Sequence, residues 1–398
     1  MRSDQLTAFP TGAQSGVMVG FPPAPTGRVT LHNWQQAPYN RWSFQNTRQV
    51  IPTATISRGR GSVWKLPQDS VDIGDIEFET PEGARMTIGH FLDNSWTDGF
   101  LVIRHGTIQF EAYRNHVSAE SHHIVMSVSK SITSLVIGIL ADRLLIDVAA
   151  PVANFVPELA GTAFEGATIQ HLLDMEVANA WHENHFDEAA EFWRLDVACG
   201  WLPPREGAAL TLFDFLRRTK CEGPHGVQVQ YSSLNSDLLG LIAERICGIP
   251  FPALVSRELW MPMGAEFDAD ITLDPGGMSV ADGGYCVALR DLGRIGQLFL
   301  EGGRVGGSQV VPGWWIEECC RLNSRPFHPS SSGADLQSAS YHNQWWRVNE
   351  RLFALGLHGQ MIAIDREAEL VVVFVSSPPE PKDTMQRQTQ FKIVDALS

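Results

Sequence analysis

The 398-residue chain reads as an α+β fold: an antiparallel sheet flanked by helices, with an inserted helical domain. Three observations predict it. Apolar residues alternate through Phe100–Tyr113, similar alternating runs recur between Asn343 and Ser376, and the long stretch between them is helical and loop-rich. Strands near both ends with helices in the middle place the middle as an insertion into one sheet-containing body.

Each element has its own justification. Residues 1–65 are rich in Pro, Gly and Thr with scattered aromatics, which predicts an irregular arm wrapped on the body. Leu101 and Ile103, then Ile108, Phe110 and Ala112, alternate about a His105-Gly106 turn and predict a β-hairpin. A long helix follows Ser127 through the apolar run Ile132 to Leu145. Further helices are predicted at Ile169–Met175, Leu212–Arg218 and Ser236–Cys247, and at Leu289–Leu300, which Gly302-Gly303 stops. Asn343–Val348, Leu352–Leu357, Met361–Asp365 and Leu370–Ser376 read as successive antiparallel strands, and Asp383–Leu397 as a closing helix. The implied division is an arm over 1–65, an α/β domain over 66–150 and 285–398, and a helical domain over 151–284.

Composition narrows the function. The 45 acidic against 30 basic residues give a net charge of −15, which argues against nucleic acid and anionic membrane surfaces as partners. No run approaches the ~20 apolar residues of a membrane span, and Gly16 to Pro22 is too short for a secretory core. The expectation is a cytoplasmic enzyme. Its six cysteines have no C-x-x-C pair and fit free thiols.

Three segments carry chemistry. Ser127-Val128-Ser129-Lys130 places a hydroxyl and an amine one helical turn apart. A serine hydroxyl needs such a neighbour to take its proton, and a helix N-terminus presents N–H groups to a developing oxyanion. The plain alternative is a solvated helix face, but the chain has only five lysines, whereas a solvated face would show several. Tyr231-Ser232-Ser233-Leu234-Asn235 precedes the helix at Ser236; it reads either as a proton-relaying phenol or as a capping segment. Phe353 to Gln360 holds two glycines in a strand pattern, which suits either close approach of a ligand or a bulge.

Together and in this order, the three segments resemble the serine β-lactamase and penicillin-binding-protein superfamily, whose sites combine S-x-x-K, a Tyr- or Ser-based element and a K-T-G strand. The likeness tightens toward the 6-aminohexanoate-dimer hydrolases. It rests on Asn40-Arg41-Trp42, Met126 to Ser131, Val156 to Gly161, Gln344-Trp345-Trp346 and His358-Gly359-Gln360, and runs from Trp34 nearly to the C-terminus. The resemblance implies a β-lactamase-like fold, Ser127 as nucleophile, Lys130 as its base and Tyr231 as proton relay. It places Gly356 at the K-T-G glycine, so that the amides of Ser127 and Leu357 form the oxyanion hole.

The departures shape the expected specificity. Ala354 stands where K-T-G has lysine, which removes a carboxylate-holding cation and predicts poor penicillin turnover. His185 aligns with a tyrosine that the amidases use to protonate the leaving nitrogen, and an imidazole can take that role. Asp196 matches the aspartate those amidases use for the substrate ammonium, and Asp282 is expected near the same wall. Trp346 and His358 complete the expected substrate-binding set, and for Trp346 the alternative is ordinary core burial. No metal or other cofactor is expected, because His182 and His185 have no recognisable further ligands. The reading is thus a serine hydrolase of linear amides or esters working through an acyl-enzyme on a small-molecule substrate, with room for a homodimer. Its alternatives are a promiscuous β-lactamase-like carboxylesterase and, in another class, a catalytically silent binding protein for peptides or cell-wall fragments.

Overall fold

The computed structural model describes residues 15–180, 192–329, 331 and 339–398. Its central sheet has seven antiparallel strands in the order Ala339–His342, Trp345–Val348, Arg351–Gly356, Gln360–Asp365, Leu370–Ser376, Thr97–Arg104 and Thr107–Tyr113. The early hairpin therefore joins the last strand, with Val102 opposite Val372. That pairing closes the two ends of the chain into one sheet.

Strand alternation sends side chains to two layers. Leu101, Ile103, Ile362, Ile364, Val371 and Val373 belong to the core that contains the helices Val128–Asp142 and Leu289–Leu300. Phe100, Val102, Ala363, Val372 and Phe374 face the other way and pack in a second core with Ile393, Val394 and Leu397 of the closing helix Thr384–Leu397. Asp383 caps that helix by accepting the Gln386 N–H. The helices Leu212–Arg218 and Leu289–Leu300 have the predicted bounds, while the helix predicted from Ser236 starts at Ser233.

A second sheet departs from the expectation. Its strands are Thr53–Ile56, Ala269–Thr272, Tyr285–Val287 and His123–Ile124. It joins the arm, the segment read as helical and the stretch leading to Ser127. At two to four residues each, these strands are too short to carry a readable alternation. The arm is likewise less irregular than expected. Trp34 donates its indole N–H to the Trp201 carbonyl at 2.7 Å, Arg41 pairs with the buried Asp98 at 2.5 Å, and Arg48 pairs with the buried Asp270. The strand expected from Asn343 begins at Trp345, because Asn343 and Gln344 take left-handed φ of 47° and 67° and form a hairpin turn. Gln344 then ties that turn to three helices: its Nε2 donates to the Leu172 and Leu173 carbonyls, and its O and Oε1 accept from Ser131 and Ser236. Among the described residues no single helix is long and apolar enough to cross a membrane.

Candidate active site

The site is built at a tight turn. Met126, a non-glycine residue, holds φ +48° between the strand His123–Ile124 and the helix Val128–Asp142, a left-handed conformation that surrounding structure must impose. The imposed bonds are visible: Ile124 N donates to the Phe44 carbonyl at 2.8 Å and Val125 N to the Tyr285 carbonyl at 2.9 Å. Ser127 then stands at the N-cap, but its hydroxyl makes no capping bond. The hydroxyl is instead engaged by Lys130.

Lys130 is 1% exposed. Its Nζ donates to Ser127 Oγ at 3.0 Å, to Ser233 Oγ at 3.0 Å, to the Asp282 carbonyl at 2.9 Å and to Asp282 Oδ2 at 3.1 Å. An ammonium has three hydrogens for these four oxygens. When the amine is neutral, a hydroxyl in this cluster becomes the donor and the nitrogen the acceptor, which is the geometry a base requires. The same Nζ lies 5.2 Å from the centroid of the Tyr231 ring. Tyr231 is itself clamped: Trp346 stacks on it at 5.6 Å and 22°, Phe327 stacks behind Trp346 at 5.8 Å, and Tyr341 meets Tyr231 edge-on at 5.5 Å.

Gly356 brings the sheet edge to the same turn. A Cβ there would sit 2.5 Å from the Val125 carbonyl oxygen and 3.1 Å from Met126 Cβ. Only glycine permits that approach, which brings the strand end against the Val125–Met126 turn that leads into Ser127. From the closing helix, Arg387 Nη2 donates to the Gly356 carbonyl, while its Nη1 is buried without a hydrogen-bond partner. Burial lowers the Arg387 pKa to about 10, against the pull of nearby Tyr231, so the guanidinium stays charged at neutral pH. A cation is therefore present at this edge although Ala354 replaces the lysine. Sequence reading missed it because Arg387 lies 31 positions after Gly356 and on a helix.

The expected substrate-binding residues fall in different places. Trp346 forms part of the aromatic wall on Tyr231. Asp282 is engaged by Lys130 rather than offered to a substrate ammonium. Asp196 is 8% exposed, and its Oδ2 accepts from Gln35 Nε2 of the arm at 3.1 Å. His358 is turned into the protein. Its ring packs edge-on against Phe44 at 4.9 Å, its Nδ1–H donates to the Pro378 carbonyl at 2.9 Å, and burial pushes its pKa down to about 4. His182 and His185 lie outside the described residues. Among the described residues no group of three or more His, Cys, Asp or Glu side chains is placed to hold a metal ion. Ser233 and Asp237 were not singled out from sequence. Ser233 had a signal, standing two residues after Tyr231 where the superfamily element places its last polar residue.

A family model described as Beta-lactamase matches residues 84–395. The chain belongs to the beta-lactamase family. It is 35% identical over 365 residues to the 6-aminohexanoate-dimer hydrolase of Paenarthrobacter ureafaciens, a match covering 91% of each chain. A solved structure from Bacillus anthracis, provisionally assigned as a 6-aminohexanoate-dimer hydrolase, superposes with a TM-score of 0.85 at 27% identity, covering 94% of this chain and 97% of that one. EstCE1, a hydrolase with promiscuous acyltransferase activity, shares the fold at a TM-score of 0.60 and 16% identity, covering 78% of this chain and 96% of that one. This beta-lactamase-family chain is accordingly a serine hydrolase with an α+β fold of the penicillin-binding-protein type.

Proposed function

We propose that this enzyme cleaves linear amide or ester bonds through an acyl-enzyme formed on Ser127. One observation carries the reading: a buried lysine amine within 3.0 Å of both Ser127 Oγ and Ser233 Oγ, at the start of a helix. Neutral Lys130 takes the Ser127 proton as Oγ attacks the substrate carbonyl. The amides of Ser127 and Leu357 hold the resulting oxyanion. Tyr231, beside the lysine, passes that proton to the leaving nitrogen or oxygen as its bond to the carbonyl carbon breaks. Water then attacks the acyl-enzyme, gives its proton back through Lys130 and Tyr231, and returns the Ser127 hydroxyl.

The substrate we favour is a small linear amide of the 6-aminohexanoate-dimer type, in keeping with the 35% identity to that hydrolase over nearly the whole chain. A second reading, a carboxylesterase for small neutral esters, is favoured by the two aspartates. Asp282 is bonded to Lys130 and Asp196 to Gln35, so an incoming ammonium would have to compete for both. Esters also need less help in protonating the leaving group.

Ser127→Ala should abolish turnover of p-nitrophenyl esters and of aminohexanoate dimer while the protein stays folded, a loss of several orders of magnitude. A fluorophosphonate probe should label Ser127 in the unmutated enzyme, located by mass spectrometry of the modified peptide. Failure of labelling together with failure of turnover would favour a silent binding protein on this fold.

A further inference from the structure

Behind Lys130 lies a carboxyl that the hydrolytic scheme does not use. Asp237 sits on the helix Ser233–Cys247, one turn after Ser233, with no exposed surface. Its Oδ1 accepts the Asp282 backbone N–H at 3.0 Å. Asp282 in turn gives Oδ2 to the Lys130 ammonium. One oxygen is left on each carboxyl, Asp237 Oδ2 and Asp282 Oδ1. Both are buried and neither meets a hydrogen-bond donor. Two bare carboxylates offer only lone pairs, so neither could satisfy the other. A single proton on one of them supplies the missing donor. It belongs on Asp237, because Asp282 already faces a positive charge and Asp237 faces none directly.

We propose that Asp237 is a carboxylic acid that donates its proton to Asp282 in a hydrogen bond, and that this bond sets how tightly Asp282 holds the proton of Lys130. Asp237 is thus a positioning residue for the lysine, acting through Asp282. The inference rests on the reading of Lys130 as the base. Its physics is simple. A bare Asp282 carboxylate beside Lys130 would favour the ammonium and spoil the base. A hydrogen bond from Asp237 draws charge off Asp282 and loosens that hold. Burial, and then the Asp282 charge, push the Asp237 carboxyl well above the ordinary carboxylate range, with Lys130 opposing. Buried Cys199, just after the helix Phe192–Ala198, also faces the pair, and burial holds its thiol well above the ordinary range, so it brings no charge of its own. On the far side of the lysine stands the Tyr231 ring.

The test combines a pH profile with a spectrum. Asp237→Leu removes the donor, and should raise the midpoint of the acid limb of kcat/KM by about one pH unit, a tenfold change in proton affinity. Asp237→Asn keeps both bonds, since its oxygen accepts the Asp282 N–H and its amide donates to Asp282, so the limb should stay in place. Asp282→Asn should move the limb the opposite way, to lower pH. Isotope-edited infrared spectra at neutral pH should contain a protonated-carboxyl C=O stretch that disappears in Asp237→Asn. Should the leucine variant fail to fold, the asparagine variants and the infrared band still decide. No such band, or an Asn limb displaced as far as the Leu limb, overturns the proposal; so does a band accompanied by an unmoved limb in the leucine variant. Full activity in Lys130→Ala would instead overturn the reading of the base, and the infrared result would stand apart from it.

Discussion

Gly356→Ala isolates the contact between the sheet edge and the Ser127 turn. The added methyl would lie 2.5 Å from the Val125 carbonyl oxygen, about 0.9 Å inside the 3.4 Å at which ordinary contact begins, and 3.1 Å from Met126 Cβ. Neither neighbour is the loose end of a flexible side chain. Val125 is held by Tyr285, and Met126 is already in a left-handed conformation. The strand end and the turn must therefore separate by most of an ångström, which opens the space between the Leu357 amide and Ser127. Displacements of that size at a reacting centre cost about 10²-fold in rate, while the overpacking itself costs about 1–3 kcal/mol of stability. The expected result is a fall of kcat/KM by about two orders of magnitude, expressed in kcat and matched by slower fluorophosphonate labelling of Ser127, in a protein that still melts cooperatively. Gly61→Ala is the control, because its methyl would meet nothing within 4 Å. Unaltered kcat in Gly356→Ala would refute the argument that this peptide holds the oxyanion.

Three further outcomes follow from the same geometry. Lys130→Ala and Tyr231→Phe should each slow acylation severely, and the double variant should be hardly worse than the worse single one; additive losses in pre-steady-state kinetics would make Tyr231 a mere wall. His358, neutral and buried with its pKa near 4 against an ordinary 6.5, contributes stability above about pH 6.5 that is lost as the pH falls toward 4. His358→Asn, which tolerates the left-handed backbone there, should flatten the dependence of urea-unfolding midpoints on pH in that window, and an unchanged slope would count against it. Asp196→Asn should lower kcat/KM for ω-aminoacyl p-nitrophenyl esters roughly tenfold relative to butyrate esters; equal effects on both would make Asp196 structural.

The parts of the fold with long, regular patterns were legible. The hairpin about His105-Gly106, the strand Leu370–Ser376 and the helix Leu289–Leu300 match their expected bounds closely, because six or more residues repeat one period. The sheet formed with Thr53–Ile56 was not legible, since that strand pairs across more than two hundred residues and all four strands are too short to show alternation. At the site, the Ser127–Lys130 spacing translated directly into a 3.0 Å contact because a helix makes i and i+3 neighbours. What surrounds Lys130 was harder to see. Ser233, Asp237 and Asp282 come from a different helix and a distant loop, and only the tertiary structure shows that Asp282 answers the protein's own cation. His358 stood in a glycine-rich strand end that suggested a ligand, yet its ring braces Phe44 and Pro378.

The arm has a practical corollary for anyone dissecting this protein. The recognisable family segment starts at residue 84, and it is tempting to express that segment alone. Such a fragment would lack Arg41 and Arg48, the guanidinium partners of two carboxylates, Asp98 and Asp270, that stay 1% and 2% exposed in the complete chain. It would also lose the edge strand that covers Ala269–Thr272 and the Trp34 indole that anchors Trp201. Stripping Arg41 from its buried pair costs on the order of 3–5 kcal/mol, much of the net stability of an ordinary domain, while the loss of Arg48, 55% exposed, adds less. The minimal folding unit is therefore longer than the segment that the family model matches, and it includes Trp34.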